Sequence, residues 1–196
     1  MSRLRVGVLV SGRGSNLQAL IQAARDPQYP ARVVMVCANR DCPALEIAKK
    51  AGVTRHVFRL ADFEDRPARD RAMGKTLALH GVELVVCAGY DAILERVFTR
   101  QFEGRIINIH PSLLPDYAGT MDAVARALES GAAETGCTVH VVTDDVDNGP
   151  ILAQRRVEIR PDDTVESLRE RIQVEEHTLL PVVVKRLAGQ VLPLPV

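Results

Sequence analysis

Residues 5–20 read RVGVLVSGRGSNLQAL, and this stretch decides the fold. After Arg5, residues 6–10 form a continuous apolar run rich in β-branched Val, and the segment Arg5–Val10 is typical of a strand buried on both faces of a parallel sheet. A Ser-Gly pair ends the run, and Leu17–Ala24 then has apolar residues at helical spacing. A strand that leads through a glycine loop into a helix is the opening unit of a parallel α/β sheet.

The same alternation of short apolar runs and helical patterns continues along the chain. Further strands are predicted at Ala31–Cys37, Thr54–Phe58, Glu83–Ala88 and Arg105–Ile109. Helices are predicted at Pro43–Ala51 and Pro67–His80, each followed by glycine.

The pattern changes after Pro115. A helix near Asp122–Leu128 precedes two strand-like runs, Cys137–Val142 and Ile151–Gln154, that are close enough to pair as antiparallel strands. A last helix runs from Val165 past Leu180, and Pro181 is either a kink in it or the start of a second helix. We therefore predict a Rossmann-like, doubly wound α/β fold whose sheet is mostly parallel with antiparallel C-terminal strands.

Composition limits the function classes. The 196 residues fit one domain, residues 1–196, and 25 basic residues balance 25 acidic ones. Neutral charge, with three Tyr, four Phe and no Trp, argues against a nucleic-acid partner. Apolar runs of strand length predict no membrane partner, and the absence of a secretory pattern predicts a cytoplasmic location.

Cysteine spacing gives no sign of a metal or redox site. Cys37, Cys42, Cys87 and Cys137 form no C-x-x-C pair. We expect all four to be reduced and structural, and we expect no metal.

The glycine loop after the first strand is the first candidate site. The backbone N–H groups of Gly14, Ser15 and Asn16 would stand at a helix start, where anions bind. Leu17 replaces the third glycine of a dinucleotide loop, and no Lys precedes the Ser as a phosphate-binding P-loop requires. The loop therefore suits one phosphate monoester, and the alternative is that Ser and Asn merely cap the helix.

The second candidate site is the end of the Arg105–Ile109 strand. Asn108 and His110 are two residues apart, so they project from one face of the strand. Open α/β sheets bind ligands at the carboxyl ends of their strands. The alternative is a structural His, and the pairing with Asn108 favours a functional site.

An acidic loop at residues 143–150 carries Asp144, Asp145 and Asp147. Such carboxylates are solvated turn residues or metal ligands, but their spacing does not fit an EF-hand. A carboxylate beside His110 would favour its imidazolium form. Sequence spacing alone does not place Asp147 there.

Three segments, residues 11–19, 108–115 and 147–150, together resemble the glycinamide ribonucleotide formyltransferases. The likeness runs through the chain in order and includes Ala88-Gly89 and Gln173-x-x-Glu176-His177. It implies the formyltransferase fold and transfer of a formyl group from 10-formyltetrahydrofolate to the amine of glycinamide ribonucleotide, in de novo purine synthesis. Small-molecule substrates and a monomer or homodimer are expected.

The resemblance also assigns residues. Asn108 and a protonated His110 would donate to the oxyanion, while Asp147 would orient His110, raise its pKa and relay protons. Gln173 and Glu176 would join the glycine loop at the acceptor. The N-terminal half, about 1–104, would bind phosphate, and about 105–196 would carry folate binding and catalysis. The folate-binding residues would be Arg66, Asp91, Ala92, Ile93, Leu94, Asn108, Thr143, Asp144, Asp145, Val146 and Asp147.

Several positions depart from the family pattern. Ala92 stands where relatives carry an Arg for the acidic folate tail, and Asp91 before it would repel a carboxylate. Arg66 is therefore expected to bind the tail, the alternative being a surface pair with Glu64 or Asp65. The loop at residues 119–123 lacks a His found in some relatives, and Asn148 replaces a frequent Gly or Thr.

His140 matches a family His but lies in an otherwise apolar run, so a structural role is expected. Two other functions fit the same fold. A formyltetrahydrofolate hydrolase would use the same three residues with water as acceptor, although that family adds an N-terminal domain not expected here. A non-catalytic nucleotide sensor is the second alternative.

Overall fold

The computed structural model describes residues 3–120, 122–190 and 192–195. Within them, seven strands form one sheet in the order β3-β2-β1-β4-β5-β6-β7. Their bounds are β1 Leu4–Val10, β2 Ala31–Ala38, β3 Thr54–Val57, β4 Leu84–Cys87, β5 Ile106–His110, β6 Glu134–Val141 and β7 Ile151–Glu158.

The first five strands are parallel, and β6 and β7 add to the β5 edge as antiparallel strands. The chain moves outward from β1 to β3 and then returns to place β4 on the other side of β1. This reversal is the topological switch point at which open α/β sheets bind ligands. The predicted fold class is confirmed.

Helices cover both faces of the sheet. One apolar cluster packs α1, α2, α5 and α6 on one face, and a second packs α3 and α4 on the other. None of the described helices is long and apolar enough to cross a membrane. Their bounds are α1 Ser15–Ala23, α2 Pro43–Lys50, α3 Arg66–Leu79, α4 Arg96–Gln101, α5 Ala123–Glu129 and α6 Val165–Leu187.

The differences from prediction have local causes. The six residues of α4 are too few to show a helical period. Strand β7 continues to Glu158 although Arg155 and Arg156 are exposed, because it is a sheet edge that faces solvent. Pro181 lies inside the single helix α6, where Leu180 and Val183 are buried in the core. All four cysteines are unpaired, as predicted.

Gly14 fixes the turn from β1 into α1. It is the N-cap of α1 with φ of 81°, a left-handed conformation that favours glycine. A Cβ at this position would lie 2.6 Å from Ala44 Cβ, so the loop also needs glycine to pack against α2. Backbone geometry thus fixes the conformation of this loop. The loop opens the smaller of the two cavities described below.

Gly14→Ala should therefore lower the free energy of unfolding by about 2 kcal/mol or more, since it adds both a left-handed Ala and a clash with α2. Urea unfolding measures this. Gly12→Ala is the matched control because a Cβ there meets nothing within 4 Å, and we expect a change within about 0.5 kcal/mol. Equal stabilities of the two variants would contradict this account of the loop.

Candidate active site

Strand β5 separates two cavities at the carboxyl edge of the sheet. Asn108 and His110 line one cavity of about 460 Å³. Ile109 and Pro111 line the other, of about 250 Å³. The alternation of side chains along a strand produces this division, and it agrees with the predicted shared face of Asn108 and His110.

Asp147 lies beside His110 in the larger cavity. Its Oδ2 is 3.4 Å from His110 Nδ1, and its Oδ1 is 3.4 Å from His140 Nε2. The backbone N–H of Gly119 donates to Oδ2 at 2.9 Å. Asp147 has a φ of 56°, a left-handed conformation uncommon for a non-glycine residue. Folding thus brings together the carboxylate and imidazole that sequence spacing could not place.

The half-buried carboxylate of Asp147 is kept ionised by its neighbours. The His140 ring, the Gly119 N–H and the His110 ring lower the pKa of Asp147 to about 2, against the opposing effect of burial. Asp147 is therefore a carboxylate at every pH at which the protein is expected to act.

The expected rise in the pKa of His110 is corrected. Burial lowers the pKa of His110 below its usual value, and the nearby Asp147 carboxylate opposes this effect without overcoming it. The cost of placing a cation in a side chain that is only 7% exposed exceeds the attraction across 3.4 Å. His110 is thus neutral at pH 7 in this structure, not the protonated donor expected.

His140 makes contacts that go beyond the structural role expected from the sequence. The ring is buried in strand β6, directly across from Asn108 on β5. Its Nδ1 lies 3.0 Å from the carbonyl of Val141, which can only accept, so Nδ1 carries a proton. Its Nε2 lies 3.2 Å from Asn108 Nδ2 and 3.4 Å from Asp147 Oδ1. His140 therefore contacts both Asn108 and Asp147, and it fixes the orientation of the Asn108 amide.

His110 keeps one ring nitrogen available. Nδ1 faces Asp147, and among the described residues Nε2 is buried without a hydrogen-bond partner. A buried polar atom without a partner is uncommon in a folded protein and marks a position where a ligand binds. Nε2 is thus the atom of His110 that can exchange a proton with a substrate.

Most of the residues predicted to bind folate line the larger cavity. They come from the segment after β4 and from the loop after β6, and they are Asp91, Ala92, Ile93, Leu94, Asn108, Thr143, Asp144, Val146 and Asp147. Ile93 and Val146 are exposed apolar side chains at this cavity. The carboxylate of Asp144 is already bonded by Thr99 Oγ1 and Arg96 Nε, each at 2.7 Å. Because the Asp144 side chain is already bonded, its backbone is the part more readily available to a ligand.

Two predicted folate residues lie elsewhere. Asp145 turns away from the cavity and lines a neighbouring groove instead. Arg66 begins α3 with an exposed side chain and is not among the residues that line the cavity. In the described part of the chain Arg66 forms no ion pair with Glu64 or Asp65, since Asp65 caps α3 by accepting from Ala68 N.

The expected repulsion by Asp91 is also corrected. Arg40 and Asn39 both bond its carboxylate, with Arg40 Nη1 at 3.1 Å and Asn39 Nδ2 at 2.9 Å. The negative charge of Asp91 is therefore compensated by Arg40. The loop at residues 119–123 reaches the same region through Gly119 and Thr120, while its Met121 lies outside the described residues.

The smaller cavity gathers the residues predicted to bind the acceptor. The glycine loop through Asn16 forms one wall, and Gln173 and Glu176 of α6 form another. Asn16 Nδ2 donates to Glu176 Oε2 at 2.8 Å and so joins the two helices. Burial raises the pKa of Glu176 to about 7, although the bond from Asn16 opposes the rise. No side chain caps the first turn of α1, which argues against the simple capping alternative.

Sequence reasoning missed several lining residues. His140 and Cys87 line the larger cavity, and Asp122 and Arg169 line the smaller one. The sequence could have indicated Arg169, because it lies four residues before Gln173 and seven before Glu176, on one face of a helix. No sequence pattern indicates the contacts of His140, since they depend on the register between β5 and β6. In the described ranges no group of three His, Cys, Asp or Glu side chains is arranged to hold a metal ion.

A doubly wound sheet with two cavities on either side of one strand, and a carboxylate–imidazole pair in one of them, defines an α/β enzyme that transfers a group between two small molecules. The profile of the formyl transferase family matches residues 4–184. The chain is 47% identical over 184 residues to a phosphoribosylglycinamide formyltransferase of Mycobacterium tuberculosis, covering 94% of this chain and 85% of that protein. It is 41% identical over 188 residues to the trifunctional purine biosynthetic protein adenosine-3 of Bos taurus, covering 95% of this chain but 18% of that protein.

Solved structures that are similar to this chain agree with these sequence matches. The glycinamide ribonucleotide transformylase 1 of Symbiobacterium toebii superposes with a TM-score of 0.92 at 43% identity, covering 95% of this chain and 88% of that one. The phosphoribosylglycinamide formyltransferase of Brucella melitensis has a TM-score of 0.91 at 39% identity, covering 97% and 98%. The chain therefore belongs to the formyl transferase family, among the phosphoribosylglycinamide formyltransferases.

Asp147→Asn should lower the pKa of His110 further, because it removes the charge that favours the imidazolium form. NMR titration of the His110 ring in the wild type and in the variant measures this shift. An unchanged or raised pKa of His110 in the variant would show that Asp147 does not act on His110.

Proposed function

We propose that this protein transfers the formyl group of 10-formyltetrahydrofolate to the amine of glycinamide ribonucleotide, giving the N-formyl product and tetrahydrofolate, in de novo purine synthesis. The observation that carries the proposal is the buried, unpartnered Nε2 of His110 in a cavity shared with Asn108 and Asp147. A second cavity on the other face of β5 begins at the start of α1, where a phosphate ester can bind. The relatives named for this reaction support the same assignment.

The formyl donor fits the larger cavity. Its volume of about 460 Å³ is within the range of sites for organic cofactors. The walls combine the apolar side chains of Ile93, Leu94 and Val146 with the backbone of two loops. Such a lining suits a flat heterocycle that needs both apolar contact and a few oriented hydrogen bonds.

The acceptor fits the smaller cavity. A phosphate at the start of α1 would accept from the backbone N–H groups of Ser15 and Asn16, because no side chain caps them. Gln173 and Glu176 would then face the ribose. The acceptor amine would extend past the end of β5 toward His110.

The reaction joins an amine to a formyl carbon. The amine nitrogen attacks, the C–N bond forms, and the carbonyl electrons move to oxygen. Collapse of this intermediate breaks the bond to N10 of the folate, which leaves as the amine of tetrahydrofolate. Overall, one proton moves from the attacking nitrogen to the leaving nitrogen.

Each candidate residue has one role in these reaction steps. Asn108 Nδ2 donates to the developing oxyanion, and His140 holds the amide in the required orientation. His110 starts neutral, so its Nε2 accepts the proton from the attacking nitrogen and returns it to N10. Asp147 stabilises the imidazolium that forms between these two transfers.

The proposal is tested by following donor consumption with and without glycinamide ribonucleotide. Tetrahydrofolate should form only when the acceptor is present, together with an equal amount of N-formyl product. Equal consumption of donor without acceptor, with release of formate, would indicate a hydrolase. Binding of both ligands without turnover would indicate a sensor.

His110→Ala and Asn108→Ala should each lower kcat by on the order of a hundredfold or more, because each removes a group that acts on the transition state. The KM for glycinamide ribonucleotide should change much less. Steady-state kinetics measures both, with His56→Ala as a matched control on an exposed histidine. Near-normal turnover in both site variants would rule out the catalytic assignment.

Arg66→Ala should raise the KM for the folate donor several-fold at low salt, because a guanidinium pairs well with the carboxylates of the folate tail. The KM for glycinamide ribonucleotide should stay nearly constant. Arg55→Ala, an exposed arginine on β3, is the control for a simple loss of charge. Equal donor KM in the Arg66 variant and the parent would mean that another group, or none, binds the tail.

A further inference from the structure

Arg169 occupies a defined place in the smaller cavity. It lies on the same face of α6 as Ile172, Gln173 and Glu176, and all four line the cavity. Ile172 is fully buried and Glu176 is 6% exposed, so packing fixes this face of the helix against the cavity. The glycine loop and the start of α1 also line this cavity.

The guanidinium of Arg169 is not engaged by other residues. It is partly buried, yet in the described part of the chain it forms no hydrogen bond and no ion pair. Arg171, two residues later, differs, because both of its terminal nitrogens bond Asp163 and Nη2 also donates to the carbonyl of Glu158. A partly desolvated cation with free donors is suited to bind an anion.

A second observation points to a ligand in the same cavity. Asn16 is only 8% exposed, and its Oδ1 has no partner among the described residues while its Nδ2 is bonded to Glu176. The first turn of α1 also has no side-chain cap. Within the described residues, the cavity therefore holds unsatisfied polar groups besides the Arg169 guanidinium.

The charges around the cavity favour an anion at the Arg169 end. The lining cations are Arg13 and Arg169, and the lining carboxyl groups are Asp122 and Glu176. Asp122 is exposed to solvent, and burial raises the pKa of Glu176 to about 7. Neither carboxyl group thus places a full buried negative charge beside the anion at neutral pH.

We infer that Arg169 binds the phosphate of the acceptor and makes the enzyme selective for a phosphorylated substrate. This inference rests on the proposed function and assigns to Arg169 the role that the Lys of a phosphate-binding P-loop fills. The phosphate lies between the backbone N–H groups of α1 and the Arg169 guanidinium, which matches two phosphate oxygens. Gln173 follows one helical turn later, where the ribose lies.

Steady-state kinetics of Arg169→Ala tests the inference. The KM for glycinamide ribonucleotide should rise by about tenfold to a hundredfold, the range expected for loss of a charged hydrogen-bond pair. The kcat should change by less than about threefold because the phosphate is remote from the reacting atoms. The KM for the folate donor should be unchanged, and Arg169→Lys should retain part of the affinity.

Arg55→Ala is the control, since Arg55 is exposed to solvent and lies outside the set of residues that line the cavity. We expect a KM change of less than about threefold there, as for other exposed charges. An unchanged KM in Arg169→Ala, or a larger effect in Arg55→Ala, would overturn the inference.

A binding measurement separates this inference from the proposed function. Ribose 5-phosphate and ribose are titrated into the wild type and Arg169→Ala by calorimetry, with thermal unfolding as a check on the fold. The wild type should prefer ribose 5-phosphate, and Arg169→Ala should lose that preference. Retained preference in the variant overturns the role of Arg169 even where formyl transfer is confirmed. Loss of preference supports it even where the formyl acceptor proves to be different.

Discussion

The ionised carboxylate of Asp147, half-buried between two imidazole rings, is the constraint on which the site depends. A buried charge is costly unless it is paired and hydrogen-bonded. Here the two histidines and the Gly119 N–H satisfy it, each ring at 3.4 Å. To bring the carboxylate to this position, Asp147 adopts a left-handed backbone conformation after β6. The loop, the strand end and the adjoining segment at Gly119 are therefore held together by one charge.

The change from parallel to antiparallel pairing makes this arrangement possible. In the pairing of β5 with β6, Asn108 lies opposite His140, so an amide and an imidazole from distant parts of the chain become neighbours. The loop that leaves β6 then returns at the carboxyl end of β5, where His110 ends the strand. Side-chain alternation along β5 places one cavity on each face. In the proposed reaction, a single strand would thus separate donor from acceptor, with its end between them.

Sequence predicted those features that depend on local pattern. The buried strands, the glycine loop and the shared face of Asn108 and His110 follow from apolar runs, turn residues and the two-residue period of a strand. The contact between Asp147 and His110 depends on the path of a loop, and the contacts of His140 depend on strand register. Neither can be read from spacing. The direction of the His110 pKa shift depends on burial, which a resemblance to a family does not supply. The position of Asp145 depends on which way a loop side chain turns, and that of Arg66 depends on where α3 begins relative to the cavity.

The central claim is that a neutral His110, supported by the Asp147 carboxylate, moves the proton during formyl transfer. The pH dependence of kcat/KM for glycinamide ribonucleotide, compared between the wild type and Asp147→Asn, tests it most directly because this ratio reports groups in the free enzyme. Titration of the acceptor amine is common to both proteins, so the difference between the profiles isolates His110. The account predicts an acidic limb with a midpoint below 6.5 in the wild type that moves to lower pH in the variant. A limb that does not move, or activity that requires the imidazolium form above pH 7, would contradict it.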